Sequence, residues 1–304
     1  MLSRPKSTIA GAARFLATLS LAAAVAIAGS VSAFAQGVPV VRDAEIEALV
    51  RDYARPIFKA AGLANDGIDI VLVNDPSFNA FVTGRRLFIN TGALMEAETP
   101  NEIIGVIAHE AGHIAGGHQQ KLRDQLERAK TMAIIATLLG AGAIVAGATT
   151  NSRGLAGAGM GVAAGSGEMA QRSILAYQRT EEITADRSAI TYLNATGQSG
   201  MGMLKTFHRF QSALSLSGAQ VDPYRISHPM PQDRIGNLEV LVKQSPYVDK
   251  VDPPALQQRH DMMRIKIAVY MQGQAAASRL MRKNPGSLAS QYGDAQSAYL
   301  YGNL

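Results

Sequence analysis

The stretch "IGVIAHEAGHIAGGHQQ" (Ile104–Gln120) holds three of the chain's six histidines, and two of them bracket a glutamate. Just upstream, "TPNE" (Thr99–Glu102) reads as a capping box. Thr99 caps the first turn, Pro100 takes the first helical position and Glu102 reaches back. A helix is therefore expected to start at Pro100 and carry the stretch. Residues four apart on a helix lie roughly 40° from each other. His109 and His113 then project side by side, and Glu110 stands next to His109.

This is the H-E-x-x-H arrangement of zinc proteases. Two neutral imidazoles are good zinc ligands and leave the ion a net positive charge, which draws the pKa of a bound water toward neutrality. Glu110 is placed to take the proton and pass it to the leaving amine. The site is expected to hold one Zn2+ per chain, and a third protein ligand is needed. The H-E-x-x-H-x-x-G-x-x-H pattern would put a histidine at position 119, which is Gln. His118 is one step early, turned about 100° away if the helix continues, so it reads as a packed or solvated helix-end residue. "RTEEITADRSAI" (Arg179–Ile190) offers a better donor. Glu182 and Asp186 are four apart on a helix. Glu182 can complete a His-His-Glu set, and Asp186 can accept from a ligand histidine and fix its tautomer. Alone, two such acids would be a surface patch.

The order "NAFVTGRRLFINTGAL", "HEAGHIAGGH", "EITADR", "HPMPQDR" resembles the zinc metallopeptidase family of HtpX, the CAAX prenyl proteases and periplasmic BepA, over roughly Val41–Leu241. The expected cleavable signal, with no span around the motif, is most similar to the BepA branch. The resemblance implies a mostly helical α+β zincin core, with His109, His113 and Glu182 as zinc ligands, Glu110 as catalytic base and Asp186 behind the ligands. It also draws in His228 and Arg234 of the H-P-x-x-x-x-R element. His228 would stabilise an oxyanion or bind zinc as a fourth ligand, and both remain open. Arg234 would support the site, holding the loop or the substrate. The strand around Asn79, Ala80 and Phe81 would present an edge to an extended peptide, reading backbone more than side chains. The chain departs from the BepA pattern in lacking cysteine, and the helical-repeat array of that branch is at best begun at 255–304.

Cysteine is absent, so disulfides and thiolate zinc sites are excluded. Residues 1–35 contain Arg4, Lys6 and Arg14 and no acid. Without them 26 basic residues stand against 24 acidic ones, which gives no support to a nucleic-acid partner. The basic start, the apolar run Phe15–Gly29 and Ala33-Phe34-Ala35 read as a signal peptide cleaved after Ala35, and a periplasmic location follows.

The rest divides by pattern. Residues 43–62 have helical spacing, with Asp43 as N-cap, Gly62 as stop and a kink at Pro56. Ile68–Asp75, "FNAFV" and "RRLFIN" read as a small three-stranded sheet. Residues 131–170 form an apolar Ala/Gly-rich stretch, long enough to span a membrane but weakly hydrophobic, and expected to be a mobile hairpin that touches membrane peripherally or touches client rather than a true span. Residues 171–196 read as one helix ending at Gly197. The expected domains are a signal peptide (1–35), a zinc metallopeptidase domain (36–246) and a helical extension (247–304).

The function expected from this is a periplasmic zinc endopeptidase in protein quality control, acting on misfolded or stalled envelope proteins. The alternative is a chaperone or assembly factor for outer-membrane proteins, working with the assembly machinery, with minor or latent proteolysis.

Overall fold

The computed structural model describes residues 39–64, 67–216, 228 and 232–302. The expected signal segment 1–35 and the Pro229 turn lie outside the described residues. The chain is α+β and mostly helical. Strand β1 (Val40–Val41) leads into α1 (Ala44–Ala60), and three strands follow: β2 (Asp69–Val73), β3 (Ala80–Thr83) and β4 (Arg86–Asn90). Then come α2 (Thr91–Glu96), α3 (Pro100–Gly116), α4 (His118–Thr149), α5 (Arg153–Ala195) and α6 (Met201–Leu216). After them stand α7 (Gln232–Lys243), α8 (Pro254–Ile267), a π-helical turn (Ala268–Gln272), α9 (Gln274–Met281) and α10 (Leu288–Tyr301).

The sheet has four strands where the sequence suggested three, in the order β1-β2-β4-β3. The added strand has two residues, Val40 and Val41, paired antiparallel to Val73 and Leu72. Two residues are too few to show an alternation. β2 and β4 run parallel, with Ile70 opposite Leu87 and Leu72 opposite Ile89. β3 closes antiparallel on β4 and forms the other edge.

Local signals act much as their chemistry dictates at α1. Asp43 Oδ1 accepts from the amides of Glu45 (3.1 Å) and Ile46 (3.0 Å). Gly62 adopts φ +75°, a conformation that suits glycine. α1 runs unbroken through Pro56. The capping box at α3 is only half made. Thr99 makes no side-chain cap, and Glu102 accepts instead from the amide of Glu98 (3.1 Å). Glu102 also pairs with Lys205 (3.0 Å) and Arg209 of α6, which draws its carboxylate away from the Thr99 amide.

α3 is the centre of the fold. Every residue from Pro100 to His113 is buried. A helix apolar on all sides is a core helix. It packs on β3, α1, α5 and α6, with Ile103, Ile107 and Ala111 in one core with Leu87, Ile89, Leu193 and Phe207. Truncating one of these aliphatic side chains to alanine should cost about 2–5 kcal/mol.

α4 and α5 form a long antiparallel hairpin that turns at Thr150–Ser152, with Asn151 left-handed at φ 57°. α5 starts at Arg153, well before the helix expected from Gln171. The glycines there do not stop it, because α4 lies alongside and supports it. From α8, Met263 and Ile267 enter the main core. Ile265, Ala268, Val269, Ala277 and Ala289 form a second small core.

His260 of α8 ties these parts together. Its Nε2 lies 2.9 Å from the carbonyl of Ala97, which can only accept, so Nε2 carries the proton. Nδ1 then accepts from the Tyr53 hydroxyl at 3.0 Å. Burial, opposed in part by the Ala97 carbonyl, lowers its pKa to about 4. The unfolded chain binds this proton near pH 6.5 and the folded chain only near 4, so folding is favoured above pH 6.5 and loses stability as pH falls toward 4. Urea midpoints should therefore drop over that window by the equivalent of about 3 kcal/mol at most. In His260→Gln the gap from wild type should narrow as pH falls. A constant gap from pH 7 to pH 4.5 would contradict the assignment.

Candidate metal centre

Four side chains converge where α3 crosses α5. His109 and His113 come from α3, Glu182 from α5, and His228 from the segment before α7; all four are buried. Their donor atoms lie within 4.8 Å of one another. The Nε2 atoms of His109 and His113 are 3.0 Å apart. Glu182 places Oε2 3.3 Å from His109 Nε2 and Oε1 3.3 Å from His113 Nε2. Donors of a tetrahedral zinc site with 2.0–2.1 Å bonds lie about 3.3 Å apart. The spacing and the imidazole/carboxylate chemistry fit such an ion.

The crossing itself explains the convergence. A Cβ on Gly112 would stand 3.0 Å from the Ala185 carbonyl oxygen. Glycine there lets α3 and α5 approach backbone to backbone. Ala185 is flanked on α5 by Glu182 and Asp186, which face His109 and His113.

The sequence placed Asp186 behind a ligand, and its Oδ1 lies 3.0 Å from His109 Nδ1. Arg234 is wholly buried and grips Asp186 through Nε and Nη2, both at 2.8 Å, while Nη1 lies 2.8 Å from Glu182. These partners are carboxylates of the site itself. Burial alone would raise both acids. At Glu182 the contacts with His109, His113 and His228 together outweigh it, so the pKa falls well below the usual carboxylate value, and at Asp186 His109 and Arg234 together do the same. Both stay ionised in a dry site.

His228 faces two ways. Nδ1 lies 3.2 Å from Glu182 Oε1 and 3.3 Å from His109 Nε2, at the fourth corner of the cluster. Nε2 lies 3.3 Å from Glu110 Oε1. Glu110 is fully buried, and among the described residues neither of its oxygens accepts a hydrogen bond. Burial raises its pKa, against the pull of His228 and His109.

His118 is packed at the helix end, as expected, but it is not turned away from the site. Its Nδ1 lies 2.9 Å from His113 Nδ1, and its Nε2 2.7 Å from Glu181 Oε2. The projection of an unbroken helix fails because Gly117 turns left-handed at φ +63° and ends α3. The chain doubles back and lays the His118 ring over Gly116, which has no Cβ to block it. The Gly116-Gly117 pair was the available signal. If His113 offers Nε2 to a metal, its Nδ1–H donates to His118, whose Nε2–H donates to Glu181. Burial lowers the pKa of both rings, that of His113 to about 3, so both favour the neutral form such a chain needs.

A cavity of about 160 Å³ opens beside the cluster, lined by Phe81, Val82, Leu122, Tyr177, Glu110 and His113 among others. Of Asn79, Ala80 and Phe81, Phe81 alone lines it, beside its strand neighbour Val82. Ala80 is buried in the core opposite Ile89, and Asn79 pairs its carbonyl with the Asn90 amide at 2.9 Å.

Known proteins resemble this chain over most of its described length. The chain is 24% identical over 211 residues to a protein of Vibrio cholerae serotype O1 named "Putative beta-barrel assembly-enhancing protease", covering 68% of this chain and 41% of that one. It is 22% identical over 200 residues to the "Beta-barrel assembly-enhancing protease" of Yersinia pestis, covering 66% of this chain and 39% of the other. The chain thus spans about two fifths of the length of these relatives. The profile of peptidase family M48 matches residues 41–242, which include every residue of the cluster, and the chain belongs to that family.

Proposed function

We propose that the chain is a zinc-dependent endopeptidase of the periplasm, acting on misfolded or stalled envelope proteins. The observation that carries this is one buried donor set, His109, His113 and Glu182, beside a buried glutamate whose oxygens are left for another partner. Those three would hold the ion, which when bound polarises a carbonyl and acidifies water. Glu110, its pKa raised by burial, takes the proton of the attacking water and returns it to the departing amide nitrogen. Asp186 and Arg234 hold His109 and Glu182 in place. His118 and Glu181 do the same for His113. Phe81 and the edge strand β3 offer the backbone surface for an extended substrate. Residues 36–246 are read as the peptidase domain and 247–304 as a helical extension, with support from the family match ending at 242 and the second small core.

A second reading is an assembly factor for outer-membrane proteins with latent proteolysis, as the relatives' names suggest. The position of His228 favours it, since Nδ1 fills the corner that water would need and Nε2 faces the base.

An unfolded substrate such as casein tests both. Glu110→Gln should lower cleavage at least about a hundredfold while metal content is retained. His228→Ala should raise cleavage, because it frees that corner. Equal cleavage by wild type and Glu110→Gln would remove Glu110 from the mechanism, and loss of cleavage in His228→Ala would make His228 a transition-state group.

Metal affinity tests the positioning chain separately. His118→Phe and Glu181→Gln should each weaken zinc binding about tenfold to a hundredfold in chelator competition. Unchanged affinity in both would reduce His118 to packing.

A further inference from the structure

We propose that the outer arm of the α4–α5 hairpin, residues 131–167, inserts across the hydrocarbon core of a phospholipid bilayer. A hairpin built for water hides its large apolar residues in the seam. This one reverses the pattern. Of all α4, only His118, Gly140 and Gly147 are buried. A Cβ on Gly147 would stand 2.5 Å from the Ala156 amide nitrogen, and one on Gly159 would stand 2.5 Å from the Gly140 carbonyl. Small residues bring the backbones together, as in helices packed within lipid. Met132, Leu138, Leu139, Val145 and Met160 point outward, each at least 60% exposed.

Length and polarity decide how far the arm goes in. Thr131–Thr149 spans about 28 Å at the helical rise, close to the roughly 30 Å hydrocarbon thickness. Between Thr131 and Gly167 the one charge is Arg153, in the polar tip Thr149-Thr150-Asn151-Ser152-Arg153. An arm that stopped halfway would strand that tip in hydrocarbon, where open backbone groups are costly. A full crossing delivers it to the far headgroups. Midway along α4, the Thr137 hydroxyl donates to the Ala133 carbonyl at 2.7 Å, so it needs no water.

Charge at the base favours lipid over another protein. Residues 119–130 and 168–179 carry six basic and three acidic side chains, with Lys121, Arg123, Arg128 and Lys130 on the α4 side. That collar suits anionic headgroups. Both helices return to one body, so the metal centre stays on one side. His118 sits about 20 Å along α4 from the membrane face, which would place cleavage near the bilayer surface.

The chain has no cysteine, so Thr150→Cys supplies a single reporter thiol at the tip. The full chain is mixed with preformed vesicles of phosphatidylethanolamine and phosphatidylglycerol and floated on a density gradient. It should float with the vesicles, and the thiol should resist a membrane-impermeant maleimide until detergent is added. Leu138→Glu/Leu139→Glu should float at least about tenfold less with an unchanged melting temperature. Residues 1–35 are identical in the two proteins, so the difference reports the arm alone. Equal flotation of this variant would overturn the proposal. So would a thiol labelled from outside, which means surface adsorption, or a wild-type dimer that ignores vesicles and that the variant dissolves, which means a second copy covers the arm. Peptidase activity is not read, so this result stands apart from the zinc mechanism.

Discussion

The close crossing of α3 and α5 at Gly112 is the constraint on which the rest depends. With no side chain at Gly112, the Ala185 backbone comes near enough for Glu182 and Asp186 to meet His109 and His113. The arrangement buries several ionisable groups together. Removing one partner would leave the others uncompensated, at a cost of about 3–5 kcal/mol. The Arg234 fork offsets that burden, answering two carboxylates from a fully buried position. Elements distant in sequence thus become one electrostatic unit.

Much of this was legible from residue types at fixed spacing. His109 and His113, and Glu182 and Asp186, share faces because a helix repeats every 3.6 residues. The strands Asp69–Val73 and Arg86–Asn90 were legible in β-branched and aromatic runs. What was missed depends on partners that spacing does not encode. Val40–Val41 is a strand only because β2 offers an edge. Glu102 left the expected capping box because Arg209 and Lys205, over a hundred residues away, claim its carboxylate. α5 extends back to Arg153 through a run of glycines because α4 packs beside it. His118 was projected along a continuing helix, and one left-handed glycine changed its neighbour.

The hairpin and the metal centre share their parts. α4 departs from the cluster at His118, and α5 returns to it at Glu181 and Glu182. The His118–Glu181 contact closes the base of the hairpin and also supports His113. α5 carries the outer apolar arm in its first half and the site's carboxylates in its second. Whatever the arm touches is connected to the metal-ligating cluster by continuous helix, which gives the apolar arm and the cluster a common frame.

Anomalous diffraction at the zinc edge, on crystals of the purified chain, tests the assignment most directly. One zinc per chain is predicted, with His109 Nε2, His113 Nε2 and a Glu182 oxygen all within about 2.2 Å of it. Zinc bound elsewhere, or held by the two histidines with Glu182 turned away, would contradict it.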